Sequence, residues 1–195
     1  MRRLLALAVL AALPGPASAQ HGGHGPASPY AGEATRAIKS LSADDIAELR
    51  RGGGWGLARA AELNGVPGPA HLLELKEEIP LSADQVAAIS EIFAAMRADA
   101  IAEGERLIAR ERALDDAFRA GSVTDESLRR ILAEIEASRS ALRYIHLAAH
   151  LVTPPLLTEA QIARYAALRG HGADPCTKVP AGHDPALWRQ HNRCE

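Results

Sequence analysis

The chain has 195 residues, with 22 Lys and Arg against 24 Asp and Glu and only 4% aromatic residues. A near-neutral balance argues against a nucleic-acid partner. Few aromatics beside abundant Ala, Leu, Ile, Glu and Arg disfavour a sheet protein and predict an all-α one.

At the N-terminus, Arg2 and Arg3 precede the apolar run Leu4 to Leu13, then Pro14, Gly15, Pro16 and Ala17-Ser18-Ala19. This order reads as a secretory signal (residues 1–19) cleaved after Ala19. The run is about half of the ~20 residues needed to span a membrane, so export without an anchor is expected. No cysteine lies near the cleavage site, which speaks against a lipoprotein. An exported protein is expected.

Residues 20–32 form a His- and Gly-rich lead. If Gln20 is the first mature residue, its amine and the His21 ring could chelate Cu(II), with His24 nearby; cyclisation of Gln20 would abolish that site. A first helical region is expected from Glu33 to about Arg51, re-capped at Ser42 and ended by Gly52-Gly53-Gly54. Trp55 to Leu63 reads as a short helix stopped by Asn64-Gly65. Pro69 suits the first position of a helix over Ala70 to Ile79, which Pro80 ends.

Leu81-Ser82-Ala83-Asp84-Gln85-Val86 is a strong helix start. Ser82 can cap a free N–H of the first turn, Gln85 can reach back to the cap amide, and Leu81 can touch Val86 as a staple. The same device recurs at Leu157-Thr158-Glu159-Ala160-Gln161-Ile162, and in weaker form at Leu41-Ser42-Ala43-Asp44-Asp45-Ile46. Between the two full copies lies the longest helical pattern. Val86, Ile89, Phe93, Met96, Ala100, Leu107, Leu114 and Phe118 follow steps of three and four, predicting a helix of roughly 55 Å at ~1.5 Å per residue. Gly121 to Thr124 is the expected turn, with Thr124 capping a return helix that Pro154-Pro155 ends. A long antiparallel hairpin over residues 83–153 follows, within an all-α domain 33–170.

Beyond Tyr144 the return helix is apolar nearly all round, which predicts cover on every side from the front helices and the last helix, Glu159 to Arg169. The tip around Glu103 to Ser138 keeps one narrow stripe, so it should project or pair with a second chain. Its alternating Arg and Glu read as a solvated, salt-bridged face. The tail, residues 171–195, shows no periodicity. Cys176 and Cys194 are the only cysteines, and in an oxidising compartment a disulfide between them is expected to stabilise the tail by roughly 3 kcal/mol.

His146 and His150 stand four apart on a helix, so both rings can face one metal ion, Zn(II), Cu(II) or Ni(II). A third ligand would come from His71, His171 or a partner chain. The alternative is two packed histidines bonded to backbone or carboxylate. His183 and His191 add imidazoles without a recognisable spacing. No G-x-S-x-G or other catalytic set is present, so a non-enzyme is expected.

The copies at Leu81, Ser82 and Gln85 and at Leu157, Thr158 and Gln161 match an LTxxQ motif, the first with Ser for Thr. Two copies bracketing a long hairpin behind a signal sequence resemble the Spy/CpxP family of periplasmic proteins, to which ZraP-like zinc-binding and CnrX-like metal-sensing proteins are related. The resemblance spans roughly Pro69 to Gly170. It implies an all-α hairpin, often a homodimer, acting as an ATP-independent chaperone for unfolded envelope proteins, or as a stress or metal sensor. Docking on a membrane sensor's periplasmic domain is a further expectation, and no cofactor is required.

Overall fold

The computed structural model describes residues 30–170 continuously, together with 28, 176, 179, 182–191 and 194. The signal sequence, His21, His24 and His171 therefore lie outside the described residues. The chain divides into two units, 1–34 and 35–195. In the first, two turns close where the Ser28 and Tyr30 carbonyls accept from Ala31 and Glu33. Everything below concerns the second.

Among the described residues the secondary structure is helical, with no strand. Seven α-helices follow in order: α1 (Ala43–Arg50), α2 (Arg59–Glu62), α3 (Pro69–Glu74), α4 (Ala83–Arg119), α5 (Asp125–Val152), α6 (Glu159–Leu168) and α7 (Pro185–His191). No helix among them is long and apolar enough to cross a membrane. Short 3₁₀ turns lie at Glu33–Thr35 and Pro154–Leu156.

Capping residues set the boundaries. Ser42, Ser82, Thr124 and Thr158 each cap a helix and donate their own backbone N–H to the side chain three residues on, so all four starts are full capping boxes. The first helical region is shorter than the sequence suggests, because residues 36–42 turn and α1 begins only at its cap. The Trp55–Leu63 helix likewise shrinks to α2. Trp55 sits at φ 44° between two glycines, a left-handed conformation that costs a non-glycine residue about 1 kcal/mol. Its indole N–H donates to Asp45 at 2.8 Å, and the Arg139 guanidinium lies 5.3 Å from the ring centroid. These contacts hold the turn.

Helices α4 and α5 pack with antiparallel cross-contacts. Ser138 donates to Glu103 and Arg110 to the Glu134 carbonyl, and just past α5 the Leu156 carbonyl accepts from Gln85. The main core joins Ala100, Leu107, Ile108, Ile131, Ile135 and Leu142 from this pair to Ile38, Leu41 and Leu49 from the front segment. One side of the tip half is therefore covered by its own chain, where the sequence suggested that the tip would project. Gly104 allows the close approach: a Cβ there would stand 2.7 Å from the Leu49 carbonyl oxygen. Polar tethers flank the cover, from Ser40 to Glu111, Lys39 to Asp115 and Arg50 to Glu105.

The charged tip is also less uniform than its sequence. Surface pairs such as Arg129–Asp125 and Arg130–Glu134 are solvated. Glu103 and Glu111, however, are buried in the seam. Burial pushes the Glu103 carboxyl up, but bonds from Arg106 and Ser138 and the charges of Arg106 and Arg110 bring it below the ordinary range.

A second, smaller core gathers Leu72, Ile79, Ile89 and Tyr165, with Leu81 and Leu157 packed on it. The tail contains a helix that periodicity did not reveal. Asp184 accepts from the Ala186 and Leu187 amides and Pro185 takes the first position, a start signal present in the sequence as Asp-Pro. Cys176 and Cys194 are joined by a disulfide, with their Cα atoms 5.4 Å apart.

Candidate functional site

The two full motifs meet each other. Gln85 and Gln161 exchange side-chain amide bonds at 3.0 and 2.9 Å. Each carboxamide oxygen also accepts from its own cap amide, Ser82 or Thr158. The remaining amide hydrogens go to the carbonyl that precedes the other motif, Leu156 for Gln85 and Pro80 for Gln161. Every strong donor on both side chains is thus used in joining α4 to α6. Leu81, Ser82, Gln85, Leu157, Thr158 and Gln161 are scaffold, as the capping pattern implies. The reciprocal bond between the copies is a feature no single-motif argument contains.

A cavity of about 580 Å³ is lined by residues of the Gly52–Gly56 turn, α2, α3, α4 and α5. His146 and His150 both line it, and His71 joins them. Of the proposed third ligands His71 comes to this place, and it comes to a carboxylate; His171 lies outside the described residues. That carboxylate is Glu62, at the end of α2, which sequence reasoning did not single out.

Glu62 binds three other elements. Its Oε1 lies 2.9 Å from His71 Nδ1 and 3.5 Å from His150 Nε2. Its Oε2 accepts from the Tyr165 hydroxyl at 3.1 Å and lies 3.5 Å from Arg169. Burial pushes the carboxyl up, yet the His71 charge and hydrogen bond, the Tyr165 bond and the His150 charge bring it below the ordinary range. Burial and the neighbouring Glu62 charge together raise the Tyr165 hydroxyl strongly, so it stays a donor. Nothing in the linear spacing of residues 62, 71, 150 and 165 marks this cluster.

The histidine pair is fixed through the backbone. His150 Nδ1 lies 2.9 Å from the Val66 carbonyl oxygen, which can only accept, so Nδ1 carries the hydrogen. Its ring lies so close to Gly68 that a Cβ there would sit 2.4 Å from Nε2. His146 is buried, and its Nε2 has no hydrogen-bond partner among the described residues. Burial holds His146 below the ordinary imidazole range, with the neighbouring His150 adding to the effect; Glu48 and a hydrogen bond with the Gly53 backbone oppose it. His150 is thus bonded to backbone and paired with a carboxylate, as the packed alternative expects, while His146 Nε2 has no hydrogen-bond partner among the described residues.

Among the described residues, no three of His, Cys, Asp and Glu are arranged to hold a metal ion. His183 packs edge-on against Trp188 in the tail, ring centroids 4.8 Å apart.

The outer face of α5 carries a different feature. Tyr144 is 71% exposed, Leu151 74% and Val152 53%, with Leu147 and Ala148 half-buried between them. Cover on every side of this helix is therefore not found. The elements near it engage His146, Ala149 and His150, on the opposite side, and none of the described residues covers the outer stripe.

No family model, curated protein or solved structure matches the chain.

Proposed function

We propose that this is a periplasmic, Spy/CpxP-like protein that shields apolar segments of unfolded clients without consuming ATP. The supporting observation is the stripe of exposed Tyr144, Leu151 and Val152, with half-buried Leu147 between them, at spacings of three, four and one on one helix. Contiguous apolar surface of this kind marks an interaction site more often than chance exposure. The LTxxQ-like pair, the signal-like N-terminus and the lack of a catalytic set agree with such a role. The rigid junction of Gln85 with Gln161 anchors one end of the scaffold; the stripe offers the client an apolar rail beside polar Ser140 and Arg143.

The test is suppression of client aggregation by the mature protein and by Leu151→Asp/Val152→Asp. Wild type should suppress aggregation at several-fold molar excess. The double variant should lose most of that effect while melting within about 0.5 kcal/mol of wild type, since both side chains are exposed. Equal suppression by both proteins would remove the stripe from the mechanism. A change from dimer to monomer in the variant, seen by sedimentation, would assign the face to a second copy instead. Retention by a membrane sensor's periplasmic domain alone would assign it to that partner.

A second reading has its own support: metal binding at His146 and His150, as in a sensor or resistance protein. The unpartnered His146 Nε2 beside a tautomer-fixed His150 supports it.

A further inference from the structure

Sorting the charged lining of the cavity by partner leaves two cations over. Glu62 is held by His71, Tyr165, Arg169 and His150, and Glu48 is paired with Arg51. Arg97 gives its Nε to the Arg51 carbonyl, and its terminal nitrogens have no partner among the described residues. The Arg59 side chain has no hydrogen bond or ion pair among them at all. Against these stands one uncommitted carboxylate, Glu74, which is exposed. The balance favours an anion.

Both arginines flank the same turn. A Cβ on Gly52 would stand 3.0 Å from Arg97 Cγ, and one on Gly56 would stand 3.2 Å from Arg59 Nε. Gly52 and Gly56 both hold φ 69°, and Trp55 between them is also left-handed, so the backbone folds back tightly and closes with Leu57 donating to the Gly54 carbonyl at 2.7 Å. Even fully extended, four residues span at most about 14 Å, so one small molecule can reach both guanidiniums. The Gly54 and Gly56 amides donate to no described residue, and nothing lies within 4 Å of the place a Gly54 Cβ would take. Guanidinium groups present planar forks of donors that match a carboxylate.

The rest of the lining is apolar. Phe93 and Met96 of α4 are half-buried there, with Ala58, Pro69 and Ala70 on the same cavity. A volume of about 580 Å³ is more than a bare ion fills, and it falls within the roughly 300–1,000 Å³ of small-molecule sites.

We propose that the cavity binds a small organic carboxylate with an apolar body, its head at Arg59, Arg97 and the Gly52–Gly56 turn and its body against Phe93 and Met96. This activity is separate from client shielding, because the α5 stripe lies on the side of that helix away from the cavity-lining His146 and His150. It also needs no metal.

Calorimetric titration of the full mature protein with octanoate tests the assignment. Octylammonium serves as the cation of the same shape and inorganic phosphate as an anion without a body. Octanoate should bind at least about tenfold more tightly than either. Arg59→Gln/Arg97→Gln should weaken octanoate by at least about tenfold, the scale of a lost charge-assisted hydrogen bond, and Leu151→Asp/Val152→Asp should leave it unchanged. Ala58→Phe, which fills part of the cavity, should weaken it as well. Octanoate binding that survives the arginine changes, or that is lost with the stripe variant, would place the ligand elsewhere and overturn the proposal. Equally tight octylammonium would overturn the choice of an anion, and equally tight phosphate would overturn the apolar body. No octanoate binding at millimolar concentration would end it. Thermal unfolding separates loss of site from loss of fold; if the Arg97 change loosens the fold, Arg59→Gln alone decides, since that side chain has no described partner to lose.

Discussion

Gln161→Ala is expected to destabilise the protein by about 2–3 kcal/mol, well beyond the effect of losing a helix cap alone. The side chain is 7% exposed and joins three groups: the Thr158 amide, the Pro80 carbonyl and the Gln85 carboxamide. Alanine would leave these without a partner in a place that water enters poorly, and each such group costs about 1–3 kcal/mol when wholly buried. Gln85→Ala should cost less, about 1–2 kcal/mol, because Ser82 at its cap is exposed and can turn to water. The two changes should not add. A double-mutant cycle should return a coupling of about 1 kcal/mol, since each residue removes the other's partner. Chemical denaturation of the four proteins measures it. Additive losses of about 0.5 kcal/mol would mean that the copies act as separate caps.

The second large effect concerns Glu62. Glu62→Ala should cost about 3 kcal/mol, because the Tyr165 hydroxyl, on a side chain 0% exposed, loses its acceptor and His150 loses its carboxylate. Glu62→Gln keeps the shape and separates charge from packing. The folded carboxyl lies below its ordinary value of 4.5. A depressed carboxyl contributes stability that is present above the unfolded value and disappears as pH falls through the folded one. Wild type should therefore lose stability below about pH 4.5, and Glu62→Gln should lose less over the same interval. Glu103 and Asp45 are also depressed, so acid sensitivity is reduced in the variant and not abolished. Identical acid limbs in the two proteins would show that Glu62 is not ionised in the cluster.

Helix starts were legible because capping is local: Ser42, Ser82, Thr124 and Thr158 each lie within three residues of their partner, and all four form capping boxes. The all-helical class followed from composition and from the stripe between Val86 and Phe118. What escaped was nonlocal. Gln85 and Gln161 are far apart in sequence, and their exchange of bonds needs both motifs to be in place first. Glu62 carries no signal in the linear sequence, since it ends a four-residue helix and its partners lie on α3, α5 and α6. The cover on the tip was missed because Ile38, Leu41 and Leu49 are too few to read as a helix face; two of them sit in a turn. His146 and His150 were found by their spacing, but only burial separates the unpartnered ring from the bonded one.

The central claim, that clients meet the outer face of α5, is tested most directly by site-specific crosslinking. A photoreactive residue replaces Tyr144, Leu151 or, as a control on the exposed polar face, Arg129. Each protein is irradiated with an unfolded client and with the folded form of the same client. Adducts with the unfolded client at 144 and 151, and few at 129 or with the folded form, are the predicted result. Equal labelling at all three positions, or none at 144 and 151, would contradict it.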